Sequence, residues 1–301
     1  MIELTGLTKK TVLVIAGPTG SGKSGLALEL AKQYNGVVIN ADSMQIYQET
    51  PILSAAPTDA DKQQVPHLLY EIFPASKRGA VSEWVQLAVE AVRNTWKEGK
   101  LPILVGGTGF YLESLIAGVS PIPETPPKVK KQVAELFEKG GVAFCYSTLQ
   151  KEDPRGAARV CPTDTTRVRR ALEIFRATGK SIADWFELPM AKPLAEADFR
   201  IIALLPALSE LEDKCNKRFD EMMDKGALKE VERLMSVGLE ESLPAMKAIG
   251  VPELSKYLQG HCSLEEAVSL AKLHTRQYAK RQLTWFRNRL KKLPATFLQR
   301  E

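Results

Sequence analysis

Gly17-Pro18-Thr19-Gly20-Ser21-Gly22-Lys23-Ser24 fits the pattern G-x-x-x-x-G-K-[ST] without a gap. In such a loop glycines let backbone N–H groups converge on an anion, a helix N-terminus faces it, and the lysine neutralises it. The context is right. "TVLVIAG" before it reads as a buried parallel strand, and "SGLALELAKQY" after it has helical periodicity. Gly17, Pro18, Thr19, Gly20, Ser21, Gly22, Lys23 and Ser24 are therefore the expected diphosphate cradle, and Ser24 is the expected ligand of a phosphate-bridging Mg²⁺. Nothing in the loop reads a nucleoside, so the owner of the phosphates is left open.

Outward from the loop, strand and helix signals alternate. A strand is expected over Val12–Ala16, a helix from Lys23, a strand "GVVIN" ending at Asn40, a helix "SEWVQLAVEAVRNTWKEG" and a strand "LPILVGG". A long proline-containing loop separates Asn40 from the second helix. This alternation predicts an α/β fold, a P-loop NTPase-like doubly wound parallel sheet with its site at the carboxyl ends of the strands. "NADSMQIY" and "GGTGFYL" follow two of those strands, so three loops are expected to share one crevice. After the proline-rich "PIPETPP" the pattern turns helical until "FRIIALLP" restores the sheet signal. The expected division is a core of 1–121 and 199–301 with a helical C-terminal region, and an inserted all-helical domain at 122–198. A last helix is expected from Ser263 to about Leu293.

The chain has 301 residues, 44% hydrophobic and 26% charged, an ordinary globular composition. No apolar run approaches the roughly 20 residues of a membrane span, and "MIELTGLTKK" has no signal-peptide hydrophobic region, so a cytoplasmic protein is expected. Cys145, Cys161, Cys215 and Cys262 form no C-x-x-C pair and are expected to be reduced. Three histidines make a His-based metal centre an unpromising reading. Net charge is only +5, but Ala267–Arg300 holds no acidic residue and many cations, which points to a polyanionic partner.

Asp42, two residues beyond a strand, is placed either to take a proton from a nucleophile or to cap the next helix; spacing alone does not choose. Thr108 in "GGTGF" could donate to phosphate. "LPILVGG" ends in glycines where a hydrolytic NTPase usually carries an acid, which argues against ATPase chemistry. In "TDTTRVRRALEIFRATGK", Asp164 and Thr165 resemble N-caps, and Arg167, Arg169 and Arg170 project from the first turns, where cations oppose the helix dipole unless they meet phosphate. In the last helix Leu273, Leu283, Phe286 and Leu290 form an expected apolar stripe. Arg276, Lys280 and Arg287 share another face, with Tyr278 and Trp285 interleaved as stacking surfaces for RNA. Lys247 and Gly250 in "PAMKAIGVPEL" are expected to expose backbone. Arg218 would ordinarily be read as a surface ion pair.

Taken together, "GPTGSGKS", "ADSMQIY", "VPH", "LVGGTGFYL", "RVRRALEIFRATGK", "RFDEMMDKG", "PAMKAIG" and "TRQYAKRQLTWFR" resemble the landmarks of the tRNA dimethylallyltransferases, in order, over about residues 12–290. The resemblance implies that the loop holds the diphosphate of dimethylallyl diphosphate rather than ATP. It implies a tRNA anticodon stem-loop as partner, with the base at position 37 flipped into a channel from the opposite side. Asp42 would be the general base on adenine N6, with Lys23, Thr108 and Arg218 assisting at the reaction centre. The tRNA contacts implied are Asp42, Ser43, Met44, Gln45, Thr108, Lys130, Thr166, Arg167, Val168, Arg169, Arg170, Lys247 and Gly250, with Arg276, Gln277, Lys280, Arg281 and Trp285 on the basic helix. Nothing in the pattern demands more than a monomer.

There are departures from the family's pattern. Gln48 and Ala56 stand where cations are frequent in relatives, which puts the grip around Ser54–Pro57 in question. Three alternatives carry different tests: prenyl transfer to a free nucleotide, which the insertion and basic tail oppose; a small-molecule kinase, which would consume ATP; and an RNA-binding module with a vestigial loop, which would not need Asp42.

Overall fold

The computed structural model describes residues 4–298. In chain order the elements are β1 (Thr11–Ala16), α1 (Lys23–Gln33), β2 (Gly36–Asn40), α2 (Pro51–Ser54), α3 (Asp59–Gln64), β3 (His67–Leu68), α4 (Val81–Lys97), β4 (Leu101–Gly106) and α5 (Gly109–Ile116). There follow α6 (Pro127–Glu152), α7 (Pro154–Ala157), α8 (Thr165–Thr178), α9 (Ile182–Glu187), β5 (Asp198–Ala203), α10 (Leu208–Asp224), α11 (Ala227–Ser236), α12 (Val251–Leu258), α13 (Leu264–Arg289) and β6 (Thr296–Phe297). Two compact units result, one of residues 1–117 with 193–301 and one of 118–192. Compactness puts the boundaries at 118 and 192 rather than the expected 122 and 198, because Leu194 is buried in the α/β core.

The first unit is built on one parallel sheet, ordered β3-β2-β4-β1-β5-β6. β1 lies inside it with all six residues buried, and a fully buried Leu or Ile contributes about 1.5–3 kcal/mol. That is why its sequence is a continuous apolar run instead of an alternating one. α4 covers one face with Trp84, Val85, Ala88, Ala91, Val92 and Thr95, a 3.6-residue stripe. Trp84 stacks on Tyr111 at 4.4 Å between centroids, and its Nε1–H donates to the Asn40 carbonyl (3.0 Å), fixing the end of β2.

Sequence reading passed over three short elements, α2, α3 and β3, in the loop after Asn40, and also β6. They are too short for a periodic signal; α3 is closed by a local capping box between Thr58 and Asp61, while α2 depends on a distant residue. Glu230, buried on α11, accepts the N–H groups of Ile52 (2.8 Å) and Leu53 (2.9 Å) and so caps α2 from a distance.

The carboxyl ends of the strands close on one another backbone to backbone. Ala41 N–H donates to the Val105 carbonyl (2.8 Å) and Thr108 N–H to the Ala41 carbonyl (3.3 Å). A Cβ on Gly106 would stand 2.0 Å from the Ala41 oxygen, and one on Gly17 would stand 2.4 Å from the Leu204 oxygen.

The second unit has its own core of Val133, Cys145, Leu149, Val168, Ala171, Leu172, Ile174 and Ile182. α6 is bent at Gly141, and α8 is capped by Asp164, which accepts the Arg167 N–H (3.0 Å), and ended by Gly179 at φ 68°.

Gly106→Ala should lower the stability of the protein by about 1–3 kcal/mol, since the obstacle is backbone that cannot rotate aside. Urea unfolding would show this as a lower midpoint at unchanged slope; an unmoved midpoint would contradict the close approach.

Candidate active site

The phosphate loop runs from the end of β1 into α1. Gly20 and Gly22 hold left-handed conformations (φ 78° and 86°), and no side chain caps α1, so the N–H groups of its first turn remain available to an anion. Lys23 Nζ donates to the Pro18 carbonyl (2.7 Å). Burial pushes its pKa down to about 8, opposed by the charge of Asp42, while Arg218 adds to the depression. The buried Ser21 hydroxyl has no hydrogen-bond partner among the described residues. Ser24 is exposed and opens on a cavity of about 130 Å³ lined also by Gln45, Ala56, Pro57, His67 and Tyr70. Among the described residues no three His, Cys, Asp or Glu gather as a metal site. The donor set suits a divalent cation held by one hydroxyl and completed by phosphate oxygens and water.

Arg218 is not a surface ion pair. It reaches from α10 to the Thr19 hydroxyl, to which its Nη2 donates, and burial lowers its pKa from the usual guanidinium value. α10 is amphipathic, and the turn that places Cys215 under the loop, 3.8 Å from the Thr19 carbonyl, turns Arg218 toward the phosphate site. All four cysteines are free.

Asp42 does not cap a helix, because no helix follows until Pro51. Its Oδ1 accepts the Met44 N–H (2.9 Å), a local turn. Asn40, fully buried, accepts the Asp42 N–H (2.8 Å) and donates to the Asp42 and Leu69 carbonyls (3.0 Å each), which fixes the peptide that carries the carboxylate. Oδ2 faces Gly107, where a Cβ would come within 3.3 Å of it. Burial, with the charge of Asp42 adding to it, raises the pKa of Tyr70, Tyr111 and Tyr278. The Thr108 hydroxyl accepts the Ser43 N–H (2.9 Å) and donates to Ser43 Oγ (3.1 Å). Lys23, Arg218, Asp42 and Thr108 thus meet in the first unit, as do the loop residues Gly17 to Ser24.

Other expected contacts fall differently. Gln45 spends both amide protons on the Ser54 and Ala55 carbonyls (2.9 and 2.8 Å), so it shapes the neighbouring loop. Gly250 does not expose backbone: it is buried at φ 101°, its N–H donates to Glu253 (2.8 Å), and a Cβ would meet Leu53. Lys247 is exposed. On α13 the buried face is Ala267, Ala271, Thr275, Ala279, Gln282, Leu283 and Phe286, continued by Leu290, while Leu273 is 40% exposed. Leu273 fails because its position falls outside the true 3.6-residue stripe. Lys272 pairs with Asp220 (2.6 Å) and Arg289 with Glu113 (2.5 Å). Among the described residues Arg276, Lys280, Arg281 and Arg287 have no acidic partner, although Arg281 lies over the Tyr278 ring. Gln277 is exposed. Trp285 is half-buried and packs on Gly109, where a Cβ would lie 2.2 Å from its ring.

Lys130, Thr166, Arg167, Val168, Arg169 and Arg170 belong to the second unit. Val168 is fully buried there and cannot offer a side chain. Arg169 lies over Phe137, Arg170 donates to Thr125 (2.7 Å), and Lys130 approaches Glu124 (3.6 Å). Arg167, its side chain 73% exposed, lies 3.5 Å from Asp164.

Sequence reading missed Gln282. Buried on α13, it accepts the Thr19 N–H through Oε1 (2.8 Å) and donates from Nε2 to the Gly107 carbonyl (2.8 Å). A glutamine on the buried face of an otherwise apolar stripe was the available signal.

A phosphate loop facing a carboxylate across the strand ends, with no acid ending β4, defines a P-loop α/β protein built for something other than nucleotide hydrolysis. The IPP transferase family profile matches residues 45–289, and the chain belongs to that family. It is 43% identical to the tRNA dimethylallyltransferase of Zymomonas mobilis over 93% of this chain and 88% of that one. It is 45% identical to the Sphingopyxis alaskensis protein of the same name over 91% and 89%. A full-length tRNA isopentenylpyrophosphate transferase from Bacillus halodurans superposes with a TM-score of 0.66 at 33% identity, covering 96% of this chain and 89% of that one. A eukaryotic dimethylallyltransferase acting on tRNA gives 0.77 at 31%, covering 92% and 70%.

The Lys23 cation is the form that binds an anion, and a bound diphosphate raises its pKa above about 8. Affinity for an alkyl diphosphate should therefore be full below pH 8 and fall about tenfold per unit above it, until the pKa of the complex is reached. Titrations between pH 7 and 10 check this, and a flat profile would contradict it.

Proposed function

We propose that this chain transfers the dimethylallyl group of dimethylallyl diphosphate to N6 of the adenosine at position 37 of tRNA, releasing diphosphate. The observation that carries the reading is that Lys23 and Arg218 both bond to the phosphate loop, at Pro18 and Thr19, while Gln282 ties that loop to Gly107, which Asp42 Oδ2 faces. That is a leaving-group site facing a base.

The exocyclic N6 is a poor nucleophile because its lone pair is delocalised into the ring. Asp42, with Oδ1 held by the Met44 N–H, keeps Oδ2 for the N6 proton and takes it as the N–C bond forms and the C–O bond to diphosphate breaks. Thr108, fixed by Ser43, orients the base. Loop N–H groups, Lys23 and Arg218 stabilise the departing anion, the larger electrostatic contribution. Bound Mg²⁺, held through Ser24, would add positive charge on the diphosphate.

Unstacking the base costs a few kcal/mol, which the basic surfaces offset. These are Arg276, Gln277, Lys280 and Arg281 on α13, Lys247 before α12, and Lys130, Thr166 and Arg167 in the helical unit. Every residue of the reaction comes from one chain, so a monomer suffices. Among the described residues no helix is long and apolar enough to cross a membrane, and we place the enzyme in the cytoplasm with its RNA.

Incubation with Mg²⁺, unmodified tRNA and labelled dimethylallyl diphosphate should yield N6-dimethylallyladenosine on nuclease digestion and mass analysis. Asp42→Ala should lower the rate by about 10²–10⁴-fold with tRNA still bound. ATP consumption without a prenylated nucleoside would sink the reading. Replacing Lys280 and Arg281 with Gln should weaken tRNA binding and reduce the slope of log affinity against log salt by about two; an unchanged slope would remove α13 from the RNA interface.

A further inference from the structure

Gln282 joins the two loops between which the reaction takes place. Its carboxamide accepts the Thr19 N–H at 2.8 Å and donates to the Gly107 carbonyl at 2.8 Å, and the residue is 6% exposed. Thr19 lies in the phosphate loop and also receives Arg218, so its position sets where the leaving group is held. Gly107 precedes Thr108, which is bonded to Ser43 next to Asp42.

The fit leaves no slack. A Cβ on Gly107 would lie 2.4 Å from Gln282 Nε2 and 3.3 Å from Asp42 Oδ2, so glycine there lets the amide and the carboxylate approach the same peptide. One helical turn earlier, the Tyr278 hydroxyl lies beside both Gln282 and Thr108. Helix α13 contributes little else polar to its buried face. Thr275 there bonds only to its own helix, at the Ala271 carbonyl (2.8 Å).

We infer that Gln282 is a positioning residue for prenyl transfer: its amide fixes the distance between the loop holding the diphosphate and the loop aligning Asp42 and the adenine, without touching either substrate. This rests on the transfer reading above. An in-line displacement is sensitive to such a distance, and a misplacement of about 1 Å costs about 100-fold in rate. Binding of each substrate is less sensitive, because donor and RNA each have their own contacts on one side of the strut.

The test uses the full chain with Mg²⁺, labelled dimethylallyl diphosphate and an unmodified anticodon stem-loop, in single turnover at saturating concentrations. Gln282→Met keeps the volume and removes both hydrogen bonds. It should lower the transfer rate about 100-fold while the dissociation constants of donor and RNA stay within about threefold. Gln282→Glu keeps an acceptor for Thr19 but offers no donor to Gly107, and should also lose rate selectively; it decides the matter if the methionine variant melts. Thr275→Val, buried on the same face, should transfer at the wild-type rate. Rates of the Gln282 variants near wild type, or losses confined to substrate binding, would overturn the inference. Product from the wild-type enzyme in the same assay separates that outcome from a failure of the transfer reading.

Discussion

The structure depends on how closely the carboxyl ends of β1, β2, β4 and β5 approach one another. A parallel sheet ordinarily leaves space there for side chains, and ligands bind in that space. Here backbone fills part of it. Gly17 lies against the Leu204 carbonyl and Gly106 against Ala41, with distances that admit no Cβ. Pulling the loops together in this way brings a carboxylate near a cationic anion site, and the charge of Asp42 favours the Lys23 and Arg218 cations against their burial. The rest of the first unit maintains that approach. Trp84 ties down the end of β2, Glu230 holds the segment after it, and α13 inserts a glutamine between the loops.

The cost of the arrangement is visible in the charges. Lys23 and Arg218 are both held where burial disfavours their cations, and Arg218 finds a hydroxyl and not an acid. Without an anionic substrate these groups are destabilising, since desolvated charge is repaid only by a close partner. Buried cations of this kind are stabilised by an anionic ligand. The same logic explains the buried Ser21 hydroxyl, unpartnered among the described residues. Asp42 is treated differently: Asn40 and the Met44 N–H fix its peptide and one oxygen, so the other is free for a proton without the side chain wandering.

Much of this was legible in the sequence, and the reason is local chemistry. The phosphate loop, β1, β2, β4 and the long helices announce themselves through glycine spacing and apolar period, whereas spacing left Asp42 between a base and a helix cap until the fold showed that no helix follows it before Pro51. What sequence could not supply is what depends on distant partners. Arg218 reads as a surface charge until α10 is laid under the loop. α2 exists because Glu230, far along the chain, caps it. Gly250 reads as exposed backbone but is packing against Leu53, and Val168 sits in a basic run yet faces a core. Leu273 was misjudged because a 26-residue helix allows more than one approximate stripe, and only packing selects the true one. Gln282 lay in a recognisable motif, but its role appears only when two loops separated in sequence are seen to share it.

The most direct measurement is the crystal structure of the chain bound to an anticodon stem-loop and an unreactive analogue of dimethylallyl diphosphate. The account predicts the diphosphate on Gly17–Ser24, Lys23 Nζ drawn from the Pro18 carbonyl to the phosphates, and a flipped adenine whose N6 lies about 2.6–3.2 Å from Asp42. An adenine seated away from Asp42, or a diphosphate bound outside the loop, would contradict it.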